Sequence, residues 1–99
     1  MSEPDRDRQR AIELLEANHV FPGDYSVSVI ATNDDAVEQA ILAAAEVPGT
    51  PPRKPTHEVR PSAQGKYVSH RLTVRCEDAE EVLALYARLR AVTGVITVL

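Results

Sequence analysis

The sequence predicts an α+β domain in which a four-stranded antiparallel sheet carries two helices on one face. Three observations predict it. Two stretches, "DYSVSVIAT" and "KYVSHRLTV", alternate apolar and polar residues with the period of a half-buried strand. Each is followed by a longer stretch, "NDDAVEQAILAAAE" and "EDAEEVLALYARLRAVTG", whose apolar residues recur at helical spacing. A glycine-bearing turn, "PSAQG", separates two extended runs with no helix between them. Ninety-nine residues suit one hydrophobic core and cannot fill two.

In chain order, "DRQRAIELLEAN" sets Ala11, Leu14, Leu15 and Asn18 on one helical side, so residues 1–20 read as an extension with a short helix. Pro22 and Gly23 in "HVFPG" end it, and the main domain is placed at 21–99. In the first strand Tyr25, Val27, Val29 and Ala31 face the core, and Ser26, Ser28 and Ile30 face away. The next helix shows Asp35 and Glu38 at capping-box spacing, with Val37, Ala40, Ile41 and Ala44 along one side. "VPGTPPRKP" reads as a stiff linker, and "THEVR" as an edge strand with Val59 as its only strong apolar residue. Gly65 suits a left-handed position in the hairpin loop. In the following strand Val68, His70, Leu72 and Val74 share the inward parity, and Tyr67, Ser69, Arg71, Thr73 and Arg75 the outward one. The last helix turns Val82, Leu85, Tyr86, Leu89 and Val92 to the core, begins with acids, ends with Arg88 and Arg90, and stops near Gly94. "VITVL" closes the chain as a strand.

The order βαββαβ is the split βαβ pattern of the ferredoxin-like fold, and right-handed crossovers then give strand order 4-1-3-2. One sheet face is left uncovered, with serine, threonine and arginine side chains on its central strands. The final strand lies at an edge and leaves apolar side chains outside at either parity, so a homodimer or cover by the N-terminal helix is expected.

Several functions are excluded by what is missing. The longest apolar run falls far short of the roughly 20 residues that span a bilayer, so no membrane partner is expected. A charged N-terminus and a single cysteine, Cys76, read as a cytoplasmic chain with a small buried thiol. A net charge of −4 and four aromatic residues disfavour nucleic acid, whose single strands need stacking rings; a basic hairpin binding it is the alternative reading. The three histidines are scattered along the chain, no CxxC follows the first strand, and no cofactor or metal is expected. His70 has a core parity, and the carboxylates gather at helix starts where capping explains them, so no catalytic residue is assigned. Arg60, Lys66, Arg71 and Arg75 remain, on or beside one hairpin. Guanidinium forks suit carboxylate or phosphate, so the expected partner is a small anionic effector or an acidic protein surface.

"FPGDYSVSVIA" at 21–31, "PSAQGKYVSHRLTV" at 61–74 and "VLALYARLRAVTGVITVL" at 82–99 together resemble the YbeD-like family of small bacterial proteins of unknown function, some labelled lipoate regulatory protein. The most specific spacing is Ser62, Gly65, Lys66, Tyr67 and Ser69. Two features depart from the family pattern: "ANHV" stands between "LLE" and "FP", and His70 replaces a commonly aliphatic residue. The resemblance implies a fold similar to ACT regulatory domains, which bind small effectors at paired subunits, and implies no established catalysis. It adds Ser62, Gly65, Tyr67 and Ser69 to the candidate ligand- or partner-binding set.

Overall fold

Strict alternation of side chains organises the molecule, and β3, Tyr67–Cys76, shows it best: Val68, His70, Leu72, Val74 and Cys76 are all buried while Tyr67, Arg71 and Arg75 are exposed. The structure, a computed structural model, describes residues 2–62 and 64–99; Ala63, within the predicted turn, and Met1 lie outside the described residues. Strand β1, Gly23–Thr32, pairs antiparallel with β3 along its whole length, from Gly23 opposite Cys76 to Thr32 opposite Tyr67. On the other side of β3 lies β2, Thr56–Pro61, and on the other side of β1 lies β4, Val95–Val98. The sheet order is β2-β3-β1-β4, which is the predicted 4-1-3-2 read from the opposite edge.

Three helices complete the chain: α1, Glu3–Asn18, α2, Asp35–Ala45, and α3, Ala79–Arg90. Ile41 and Ala45 of α2 meet Val82, Leu85 and Leu89 of α3 and the inner side chains Val27, Val29, Leu72 and Val74 in one buried cluster. Burial of such side chains contributes roughly 1.5–3 kcal/mol each, which is why the two-residue period of the strands and the helical period of α3 dictate the layering. Ala40, expected on the inner side of α2, is exposed, and Ala45 takes its place.

Helices α2 and α3 both start at an aspartate. The Asp78 carboxylate accepts from the Glu81 N–H at 2.9 Å. At α2 the cap is Asp34, whose Oδ1 accepts from the N–H groups of Ala36 at 2.7 Å and Val37 at 3.3 Å. The expected capping box on Asp35 and Glu38 is thereby corrected: with Asp34 as cap, Glu38 stands one position beyond the reach-back site and its carboxylate is left free for other work. The chain leaves α3 through Gly94 at φ +99°, and the hairpin turns through Gly65 at φ +72°, the left-handed positions where glycine was expected.

The N-terminal helix is longer than expected, because Pro4 is well suited to a first helical turn. Its inner side is Ala11, Ile12 and Leu15, whereas Leu14 is exposed. The proline-rich connection is no free linker. Val47 is buried and pairs with Arg53 in an isolated bridge, and the Arg53 guanidinium donates to both carboxylate oxygens of Glu81, at 3.1 and 2.7 Å, and to the Arg75 carbonyl at 2.8 Å. The bidentate contact holds the Glu81 carboxyl below the usual carboxylate range.

Cys76 is fully buried at the end of β3, and burial pushes its thiol up to about 11. The expected outcome is that a thiol-specific reagent labels the native protein only as fast as the protein opens. Labelling that keeps pace with a free thiol would contradict the burial.

Candidate functional site

The uncovered face is built from rows of side chains set by the strand register. Ser26, Thr73 and Thr56 form one row, Ser28, Arg71 and Glu58 the next, and Ile30, Ser69 and Arg60 the third. Side chains opposite one another in such a ladder stand about 5 Å apart. Within the first row the Ser26 and Thr73 hydroxyls are hydrogen-bonded at 2.7 Å. The second and third rows enclose a shallow concavity of about 240 Å³ lined by Ser28, Glu58, Val59, Arg60, Ser69 and Arg71.

Three of the expected binding residues, Arg60, Ser69 and Arg71, therefore meet in one place. Among the described residues neither Arg60 nor Arg71 is held in an ion pair, although Glu58 is the register partner of Arg71. The other five sit elsewhere. The Ser62 hydroxyl accepts from the Tyr67 N–H at 3.3 Å, and the Gly65 carbonyl accepts from Asn33 Nδ2 at 2.7 Å, so both shape the turn. Lys66 lies over the Tyr67 ring at 5.5 Å, at the hairpin tip. Arg75 lies at the far end of β3, its Nε 3.9 Å from Glu77. Ser28, on the neighbouring strand, belongs to the concavity and was read from the sequence only as part of the open face.

On the helix-covered side the structure overturns the expectation of scattered histidines. His57 of β2 and His70 of β3 meet with Nε2 and Nδ1 2.8 Å apart. Their rings are 12° from parallel with centroids 5.1 Å apart, so the centroid separation exceeds the nitrogen separation by about one ring diameter. Such rings meet edge to edge, one N–H pointing straight at the other's lone pair. The sequence hides the pair because it needs the β2–β3 register, which sets Val59 opposite His70 and His57 two positions further along the same face.

Burial, and then the neighbouring His57, pull the His70 imidazole below its usual range, against the opposing pull of Glu38. Asp34, Asp35 and Glu38 of the α2 start and His57 of β2 are the titratable groups around it. A depressed folded-state value means that the unfolded chain takes up the proton first as pH falls. Stability is thus complete above the unfolded value of about 6.5 and is lost as pH falls toward the folded one. With chelator present, the urea midpoint of the native chain is expected to fall between about pH 7.5 and 5.5 more than that of His70→Leu. Equal falls would contradict the buried neutral imidazole.

A cleft of about 590 Å³ lies between α1 and the start of α3, lined by Ile12, Glu16, His19, Val20, Phe21, Asp78, Ala79 and Glu80. It brings acids and apolar side chains together but no convergent cations. No helix among the described residues is long and apolar enough to cross a membrane.

The fold has known counterparts. The ACT domain from a GTP pyrophosphokinase of Chlorobium tepidum superposes with a TM-score of 0.56 at 14% identity, covering 77% of this chain and 94% of that one. The solution structure of a protein from H. pylori superposes with a TM-score of 0.60 at 14% identity, covering 83% of this chain and 86% of that one. These likenesses establish an ACT-like, ferredoxin-like fold. A comparison with curated proteins finds no match. The family model described as "Protein of unknown function (DUF493)" matches residues 16–99, most of the chain, and the chain belongs to that family.

Proposed function

We propose that the chain is a non-catalytic, ACT-like regulatory or interaction module that binds a small anionic effector on its open sheet face, between Arg60 and Arg71. The observation that carries the reading is the concavity with two guanidinium groups that make no ion pair among the described residues, flanked by the hydroxyls of Ser28 and Ser69. Forked donors beside hydroxyls match a carboxylate or phosphate, and Glu58 at the rim selects against a ligand whose negative charge spreads over the whole face.

A panel of small carboxylates and phosphates tests it by thermal shift, because a ligand that prefers the folded state raises apparent stability by about 2.7 kcal/mol at a hundred times its Kd. At least one such anion is expected to raise the midpoint of the native chain and to lose that effect in Arg60→Glu/Arg71→Glu. The reading fails if no anion shifts the native protein or if the double variant responds equally.

Self-association through β4 is the accompanying proposal. Ile96 of β4 and Leu99 just past its end are 56% and 67% exposed, and among the described residues no strand pairs with the outer side of β4. An unpaired apolar edge of that kind matches a second copy of itself. Light scattering is expected to give a dimer mass at tens of micromolar that Ile96→Lys reduces to one chain. A one-chain mass for the native protein would remove the proposal.

A further inference from the structure

We propose that His57, His70 and Glu38 form a binding site for a borderline divalent transition-metal ion, zinc(II) by preference, on the side of the sheet covered by α2. Their ligand atoms all lie within 4.8 Å of one another. The site is independent of the open-face reading, since these side chains point to the opposite side of β2 and β3 from Arg60 and Arg71.

Three elements position the donors. His70 is only 2% exposed, in the middle of β3, and His57 stands on the edge strand β2 at the same side of the pleat. Glu38 comes down from the first turn of α2. Because Asp34 caps that helix, the Glu38 carboxylate has no backbone duty, and among the described residues it takes part in no hydrogen bond or ion pair of its own. A small cavity of about 40 Å³ opens beside the group, lined by His70, Glu38, Asn33, Asp34, Asp35, Val59 and Val68. A water needs roughly 10–15 Å³ of such space, so the cavity has room for a further ligand on an ion.

The donor set decides the class of ion. Two imidazoles and one carboxylate, with room for one water, is the pattern of a four-coordinate zinc site with an open position. Calcium and magnesium, which take six or more oxygens or retain an octahedral water shell, find too few donors. Imidazole nitrogen also accommodates copper(II), nickel(II) and cobalt(II), so discrimination among these is left to geometry and supply.

The shared proton between the histidines occupies the place that an ion would take. Two nitrogens bound to one tetrahedral zinc stand about 3.3 Å apart, so the present 2.8 Å must open by about half an ångström and one ring must swing until both lone pairs converge. His57, partly exposed on an edge strand, is the ring able to do so. Proton accounting is simple. When both rings are neutral, the N–H that bridges them moves to the other nitrogen of its own ring, and no proton leaves the site.

Titration calorimetry of the chelator-treated chain with zinc(II), and visible absorption with cobalt(II), test the proposal. The expected result is one ion per chain, a cobalt spectrum of four-coordinate intensity, and affinity reduced at least about tenfold in His57→Ala and in Glu38→Gln. His19→Ala, which alters a histidine remote from the site, is expected to bind as the native chain does. If His57→Ala does not fold, Glu38→Gln at the part-exposed helix start carries the same test. Absence of saturable zinc binding by the native chain, or affinity unchanged in the folded variants, overturns the proposal and leaves the histidines a proton-sharing pair.

Discussion

Leu85→Ala is expected to remove about 2–5 kcal/mol of folding stability, the cost of deleting a fully enclosed branched side chain together with the cavity it leaves. Leu85 is wholly buried on α3 and belongs to the cluster that joins that helix to Ile41, Leu72 and Val27. Nothing next to it can collapse freely, since its neighbours are held by strand pairing below and by α2 alongside. For a domain of this size each kcal/mol shifts the thermal midpoint by about 4–8 °C, so the loss amounts to on the order of 10 °C or more. Leu14→Ala provides the contrast. That leucine is 60% exposed on α1, and its removal is expected to change stability by no more than about 0.5 kcal/mol. Calorimetric unfolding of the two variants checks both numbers, and a comparable loss in each would contradict the assignment of the inner and outer sides.

Gly94→Ala is expected to cost about 2–4 kcal/mol, for two reasons that act together. At φ +99° a side chain meets backbone strain of about 1–2 kcal/mol. An added Cβ would also lie 2.6 Å from one methyl of Val37 and 3.0 Å from the Thr32 hydroxyl, a contact that the packed start of α2 must move to relieve. Gly65 separates the two causes. Its φ of +72° is also left-handed, but nothing lies within 4 Å of where its Cβ would be, so Gly65→Ala is expected to cost only the strain. In the double variant Gly94→Ala/Val37→Ala the contact with Val37 is removed while that with Thr32 stays, and the losses of Gly94→Ala and Val37→Ala are expected to be less than additive. Denaturant midpoints of the native chain, Gly65→Ala, Gly94→Ala, Val37→Ala and the double variant check this, and equal effects at the two glycines would show that the contact with Val37 carries no weight.

How far these properties are visible in the sequence depends on how local their causes are. The faces of β1 and β3 follow from a period of two, and one buried residue at every second position leaves no other register for Val68, Leu72 and Val74. Strand order follows from handedness once the βαββαβ order is read. Capping is ambiguous when several aspartates are adjacent: Asp34 and Asp35 are both eligible, and only the backbone path through Asn33 decides for Asp34. Likewise, prolines mark the connection before β2 as stiff, but its docking depends on Arg53 meeting Glu81, 28 positions away along the chain. The histidine pair is illegible for the same reason. His57 and His70 are 13 positions apart and come together only through a hairpin register, and Glu38 reaches them only because α2 crosses above. On the open face, parity shows which residues are outside, but only the register separates Arg71, beside Ser28 and Arg60, from Arg75, drawn toward Glu77 at the other end.

Anion binding on the open sheet face is measured most directly by titrating the isotopically labelled chain with a small phosphate or carboxylate and following its amide and arginine side-chain signals. Saturable shifts are expected centred on Ser28, Arg60, Ser69 and Arg71, with little change at Arg75 or along α1. Shifts confined to the cleft between α1 and α3, or none that saturate, would contradict binding on that face.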